Sequence, residues 1–128
     1  MKLKTKNTMN KPQAKKKLPD NFYDKVYAVA RMIPRGRVSS YGAIARYLSA
    51  GSAARMVGYA LTCCHGATPF VPAHRVVNRI GLLTGKIHFG TPTLMQQLLE
   101  NEGVLVENDQ VQNFARLYWD PVIELPLN

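Results

Sequence analysis

The sequence predicts a mainly α-helical fold with a small β component, organised around a helix-turn-helix. Three observations predict it. Apolar residues recur at helical spacing in 20–33 and 91–103. A short serine-capped segment is followed by a Gly-containing break and a segment of small residues, the pattern of a helix-turn-helix. A β signal stands only in "VLVENDQVQ" (104–112), where apolar residues flank Asn108-Asp109. At 128 residues the chain fits one domain with a real core.

The first helix is read over 20–33, "DNFYDKVYAVARMI", with Phe22, Val26, Val29, Ala30 and Ile33 on one face. Asp20 or Asn21 is placed to cap its start, and Pro34 ends it. "PRGRV" is then a turn. Ser39 or Ser40 caps a second helix, "YGAIARYLS", with Tyr41, Ile44, Ala45 and Leu48 turned inward. "AGS" breaks that helix, and Ser52 caps a third, "AARMVGYALTCC". Residues 66–90 are Gly- and Pro-rich and read as ordered loops. In the fourth helix Thr91 caps, Pro92 fits the first turn, Leu94, Leu98 and Leu99 are expected buried, and Gly103 stops it. A hairpin turning at Asn108-Asp109 follows, and then an apolar clasp from Phe114, Leu117, Tyr118 and Trp119.

Charge is unevenly placed. The net charge is +9, yet residues 1–19 hold seven lysines and no acid. That stretch lacks apolar periodicity and reads as a disordered arm, a solubilising tail or a phosphate-binding one. The domain is expected over 20–120, with 121–128 a tail. Beyond the arm the positive charge is mostly arginine: 31, 35, 37, 46, 55, 75 and 79. Arginine suits bidentate phosphate and base contacts, which leans towards nucleic acid. No run of about 18 apolar residues exists to span a membrane. The basic start lacks the apolar stretch of a secretory signal. The two cysteines, Cys63 and Cys64, are adjacent, which disfavours a bridge between them. Both are expected as reduced thiols in a cytoplasmic, nucleoid-associated protein. No zinc-ligand spacing links them to His65, His74 and His88, so no metal and no cofactor are expected. No dimer-forming surface is legible, and a monomer is the expectation.

The third helix carries the sharper signal. Ala53, Ala54, Gly58 and Ala60 keep side chains from holding its backbone away from a partner, and Arg55 is the one long charged group near its start. Such a helix suits tight packing against a neighbour, and it suits a DNA groove with the arginine probing the base stack.

"IPRGRVSSYGAIA", "ARMVGYAL", "PAHRVVN" and "LLENEGV" follow one another in order and spacing. Together they resemble the DNA-binding domain of the O6-alkylguanine-DNA alkyltransferases over roughly residues 20–105. Four ordered blocks are far more specific than any one of them. The resemblance implies a winged-helix-like helix-turn-helix DNA-binding domain. The enzymes read Pro-Cys-His-Arg where this chain reads Pro72-Ala73-His74-Arg75. The chain is therefore similar to the alkyltransferase-like proteins, in which the acceptor cysteine is replaced. The enzymes also carry a further N-terminal domain, where this chain has its lysine arm.

The resemblance implies roles for particular residues. Arg55 is the finger that fills the gap left by an extruded guanine, and Tyr41 helps turn the nucleotide out. Ser52, Ala53, Ala54 and Gly58 meet DNA beside them. Pro72, Ala73, His74, Arg75, Val76, Leu82, Leu83, Thr84, Gly85 and Glu102 surround a lesion pocket. His74 and Glu102 match the enzymes' histidine–carboxylate relay, left with no thiol to activate. Alkyl transfer needs a thiolate, and Ala73 offers a methyl group. The implied activity is non-enzymatic recognition of O6-alkylguanine in duplex DNA, with nucleotide excision repair proteins as partners. Two alternatives stay open: transfer to Cys63 or Cys64, and a helix-turn-helix binder indifferent to lesions.

Overall fold

The computed structural model describes residues 20–48 and 53–126. The lysine-rich segment 1–19 and the break at 49–52, with the expected cap Ser52, lie outside the described residues.

Helix α1 (Phe22–Met32) buries Phe22, Val26, Val29 and Ala30, the face its periodicity predicts. Asn21 stands at its N-cap without a side-chain cap bond. Its backbone (φ −100°, ψ 25°) is not the extended conformation from which a capping oxygen reaches back to the first turn. Ile33 turns extended (ψ 121°), as a residue before proline must, and the helix ends.

Strand β1 (Ser39–Ser40) leads directly into α2 (Tyr41–Tyr47). Of the two candidate caps, Ser40 is the one used. It is extended (φ −130°, ψ 159°), and its hydroxyl accepts the Ala43 N–H at 3.1 Å. The same hydroxyl lies 3.1 Å from the Tyr118 hydroxyl. Ser40→Ala should therefore lower stability by about 1 kcal/mol, read as a shift in denaturant midpoint. An unshifted midpoint would refute the capping role.

Helix α3 (Ala54–Thr62) is shorter than the sequence pattern suggests, since the chain tightens at Cys63, whose N–H bonds Ala60 O. Residues 66–90 are more regular than a loop reading allows. They contain a 3-10 turn (Ala73–Arg75), strand β2 (Val76–Val77) and a second 3-10 turn (Lys86–Phe89). Strand β2 pairs in parallel with β1, Ser39 opposite Val76 and Ser40 opposite Val77. Isolated two-residue parallel pairing leaves almost no signature in sequence, because its partner is more than thirty residues away.

In α4 (Leu94–Glu100) the N-cap is Thr93, which makes no side-chain cap bond. It is not the expected Thr91, two residues earlier, whose hydroxyl nevertheless accepts the Leu94 N–H at 3.1 Å. The buried pair is Met95 and Leu99, however, while Leu94 and Leu98 are half-buried. The helix docks along the Met95–Leu99 line because β3, β4 and the loop at Leu83 share a core with it. Strands β3 (Val106–Glu107) and β4 (Gln110–Val111) form the predicted hairpin. Asn108 and Asp109 take φ 53° and 61°, the left-handed pair that a tight two-residue turn requires.

The apolar clasp forms, with Trp119 buried and Phe114, Leu117 and Tyr118 half-buried. Helix α5 (Phe114–Leu117) carries part of it, and Val38 and Tyr118 bridge beside it. The expected tail is instead structured through residue 126. Helix α6 (Pro121–Glu124) packs on α2, Pro121 is buried, and the Asp120 carboxylate accepts the Val122 N–H. A four-residue helix is too short to show a period, so only the contact with α2 reveals it.

Two buried clusters result. One joins α1, α2 and α3 with Trp119; the other joins Val77, Leu83, α4 and the hairpin. Ala73 belongs to the first and Val77 to the second, so the segment 73–77 runs along their seam. No described helix is long and apolar enough to cross a membrane.

Candidate functional site

A cleft of about 280 Å³ opens at that seam, at the small end of ligand pockets. Arg55, Gly58, Tyr59 and Thr62 of α3 form one wall, at the i, i+3, i+4, i+7 spacing of a single helix face. Tyr41 begins α2 and closes an end. Thr84, Gly85, His88 and Phe89 supply the opposite wall, with Ala73 and Met95 between.

Small residues seat the Tyr41 ring. A Cβ at Gly58 would stand 3.8 Å from it, and one at Gly85 only 3.0 Å from its hydroxyl. Thr84 Oγ1 lies 3.5 Å from that hydroxyl. Burial pushes the Tyr41 phenol up, so it stays neutral and available as a donor or acceptor. Arg55 is exposed at the rim.

Behind Ala73 lies a buried charge network. His74 Nε2 meets Glu102 Oε2 at 2.7 Å, and their side chains are 3% and 7% exposed. The Arg75 guanidinium forks onto the same carboxylate, Nε to Oε1 at 3.0 Å and Nη2 to Oε2 at 2.8 Å. Its Nη1 donates to Ile33 O at 2.9 Å. Gly36, at φ +83°, aims its N–H at Glu102 Oε1 at 3.1 Å, a conformation that favours glycine.

Burial alone would raise the Glu102 carboxyl, but the bonds from Arg75, His74 and Gly36 outweigh it and bring it down to about 2. Burial pulls His74 below its ordinary value, against the pull of Glu102, so the imidazole is held neutral. It donates through Nε2, and Nδ1 is buried without a partner among the described residues.

These shifts fix the sign of a pH effect. A carboxyl near 2 when folded and 4.5 when unfolded gives stability that is complete above 4.5 and lost as pH falls towards 2. The loss amounts to about 3 kcal/mol. His74 adds to it from pH 6.5 downward, since the unfolded state takes up its proton first. Thermal melts should hold their midpoint above neutrality, decline below 6.5 and fall most steeply between 4.5 and 2. A level profile down to pH 3 would contradict the network's role.

The structure sorts the residues expected at the site. Tyr41, Arg55, Gly58, Ala73, Thr84 and Gly85 come together around the cleft. Ala53 and Ala54 start α3, half-buried beside Arg55. Pro72, His74 and Val76 are buried near Ala73, Leu83 is in the second core cluster, and Leu82 pairs with Gln110. None of these five lines the cleft, nor do Arg75 and Glu102. Arg75 has two conceivable places, one facing a phosphate and one, within the fold, holding segments together; its guanidinium bonds Glu102 and Ile33 O. The structure gives it the second.

Arginine abundance also has a second cause. Arg31, Arg35, Arg37 and Arg75 each donate to a backbone carbonyl, of Pro69, Asn101, Leu117 and Ile33 respectively. They tie distant segments together, whereas Arg55 lines the cleft.

Sequence reasoning missed Tyr59, Leu61, Thr62, His88, Phe89 and Met95 in the lining. The helical spacing from Arg55 contained the signal for Tyr59 and Thr62. Phe89 is reached only through the second 3-10 turn, and His65 packs edge-on against it at 5.0 Å. Neither cysteine lines the cleft. Cys64 is buried, its thiol bonded to Leu61 O and pushed up by burial, while Cys63 is exposed.

Comparison with known proteins agrees with this geometry. Residues 21–104 match the family of the "6-O-methylguanine DNA methyltransferase, DNA binding domain". Alkyltransferase-like protein 1 of Schizosaccharomyces pombe is 38% identical over 106 residues, covering 80% of this chain and 97% of that one. The methylated-DNA–protein-cysteine methyltransferase of Salmonella typhimurium is 41% identical over 88 residues, 66% of this chain but only 48% of the enzyme. The crystal structure of S. pombe Atl1 with damaged DNA containing O6-carboxymethylguanine superposes with a TM-score of 0.72. It is 37% identical, and the match covers 82% of this chain and 100% of that one. Fold, cleft and sequence therefore agree: the chain belongs to the 6-O-methylguanine DNA methyltransferase family through its DNA-binding domain, and within that family it is alkyltransferase-like.

Proposed function

We propose that the protein is a non-enzymatic sensor of O6-alkylguanine in duplex DNA. It binds from the minor groove, turns the modified base into the cleft and marks the site for another repair pathway. The observation that carries this reading is Ala73 in the cleft, in front of a complete His74–Glu102 pair. A methyl group has no lone pair to attack an alkyl carbon, so the relay has nothing to activate.

The binding parts support the reading. The small residues of α3 suit close approach of its backbone to a groove, and Arg55, exposed at the cleft near the start of that helix, supplies a guanidinium of the kind that can insert into a base stack. Extruding a base costs a few kcal/mol, which that insertion and a bent duplex can offset. The cleft meets the base with Tyr41, Tyr59 and Phe89, and the apolar Leu61 and Met95 suit an alkyl substituent. By the family likeness, nucleotide excision repair proteins are the partners.

The test compares matched duplexes carrying guanine or O6-methylguanine at moderate salt, with mass spectrometry of the recovered protein. Tighter lesion binding with unchanged protein mass is the expected result. Equal affinity with steep salt dependence would identify a lesion-independent helix-turn-helix binder. A gain of one methyl would overturn the non-enzymatic reading and direct attention to Cys63 and Cys64.

A further inference from the structure

The β3–β4 hairpin lies beyond the family-matched segment, which ends at residue 104. In a winged helix-turn-helix such a hairpin is the natural candidate for a wing that touches DNA. Its charge argues otherwise here. Glu107 precedes the turn and Asp109 lies in it, with no basic residue between 104 and 112, and that tip would meet phosphates with like charge.

Its contacts run the other way, onto residues 80–86 beside the cleft. Leu83 N–H donates to Asp109 O at 2.9 Å, and Val111 N–H donates to Gly81 O at 2.9 Å. Leu82 and Gln110 pair as an antiparallel bridge, and Gln110 Nε2 donates to Ile80 O at 2.8 Å. Lys86 Nζ closes the series on Asp109 Oδ2 at 2.6 Å. Below them Val106 and Val111 share a buried cluster with Leu83 and Met95. Thr84 and Gly85, inside this span, form part of the cleft wall.

We infer that the hairpin braces the cleft wall, with Asp109 and Lys86 as positioning residues for recognition of the modified base. The inference rests on the sensor reading above. A wall held on both sides of Thr84 and Gly85, at residues 80–83 and at Lys86, keeps these two at a fixed distance from α3, and the cleft's width follows from that distance. A looser wall would admit unmodified and modified bases with less distinction.

Asp109→Asn tests it cleanly. Asp109 sits at φ 61°, where asparagine is well tolerated, so the backbone is kept and the charge is removed. Lys86→Gln removes the other partner, and the double variant completes a cycle. Hydrogen exchange of the free protein should accelerate about threefold at residues 83–86 in each single variant, with α1 unchanged. The ratio of lesion to unmodified affinity should fall about threefold in each, with no further loss in the double variant.

Unchanged exchange at 83–86 would overturn the brace itself. Faster exchange with an undiminished affinity ratio would overturn its role in recognition, and so would additive losses in the double variant. Should the unaltered protein show no lesion preference, the sensor reading fails, and the exchange result still decides whether the hairpin braces the wall.

Discussion

Arg55→Ala is expected to weaken binding to an O6-alkylguanine duplex about 30-fold, or about 2 kcal/mol, while leaving the folded protein as stable as before. The side chain is exposed at the rim, so its loss opens no cavity. Its proposed task is to fill the space of an extruded base, and without it the duplex must carry that cost of a few kcal/mol unaided. Unmodified duplex should lose only about threefold, the share of one charge among several phosphate contacts. Arg55→Lys keeps the charge but not the flat, stacking guanidinium, and should fall between the two. Equal losses on modified and unmodified duplex would reduce Arg55 to an ordinary phosphate contact.

Glu102→Ala has the largest expected effect on the fold. The carboxylate is 7% exposed and receives Arg75, His74 and the Gly36 N–H. Removing it strands a guanidinium that is itself only 16% exposed. Breaking a buried ion pair on one side costs about 3–5 kcal/mol, which for a chain of this size lowers the melting midpoint by about 12–20 °C. Three segments lose their common anchor at once: the turn at Gly36, the 3-10 turn at His74 and the end of α4. Glu102→Gln preserves the shape and some bonds, and should lose less. It should also flatten the acid decline of the melting midpoint between pH 4.5 and 2, since the titrating group is gone. A loss under about 1 kcal/mol for the alanine variant would show that water or a rearranged Arg75 replaces the network.

The two predictions separate the parts of an alkyltransferase site that a chain without its thiol still needs. In an enzyme the histidine–glutamate pair serves proton transfer. Here the same pair stands behind an alanine and is joined by Arg75 to the backbone of Ile33, so its measurable contribution is to stability. The rim, by contrast, is expected to contribute to recognition and little to the fold.

How much of this was legible follows from the range of each interaction. Helix α1, the Ser40 cap and the Asn108-Asp109 turn depend on residues a few positions apart, and their signals are complete within those windows. Ala73 in place of a cysteine, the small residues of the third helix around Arg55 and the His74–Glu102 pairing were legible through ordered blocks that resemble a family. The Asn21 cap failed because cap formation depends on a backbone conformation that composition does not reveal. The Leu94 and Leu98 burial failed because the fourth helix has apolar residues on more than one side, and the neighbour it docks against makes the choice.

The sequence by itself determined helices α1 to α4, the Ser40 cap, the hairpin turn and the alanine at position 73, because each of these is set by local chemistry or by the identity of one residue. Tertiary structure alone decided that four arginines serve carbonyl groups, that α6 belongs to the domain, that Phe89 and Met95 line the cleft, and that the hairpin meets the cleft wall. The physical reason is common to all four. Each depends on groups that lie far apart along the chain and become neighbours only when buried apolar faces bring their segments together.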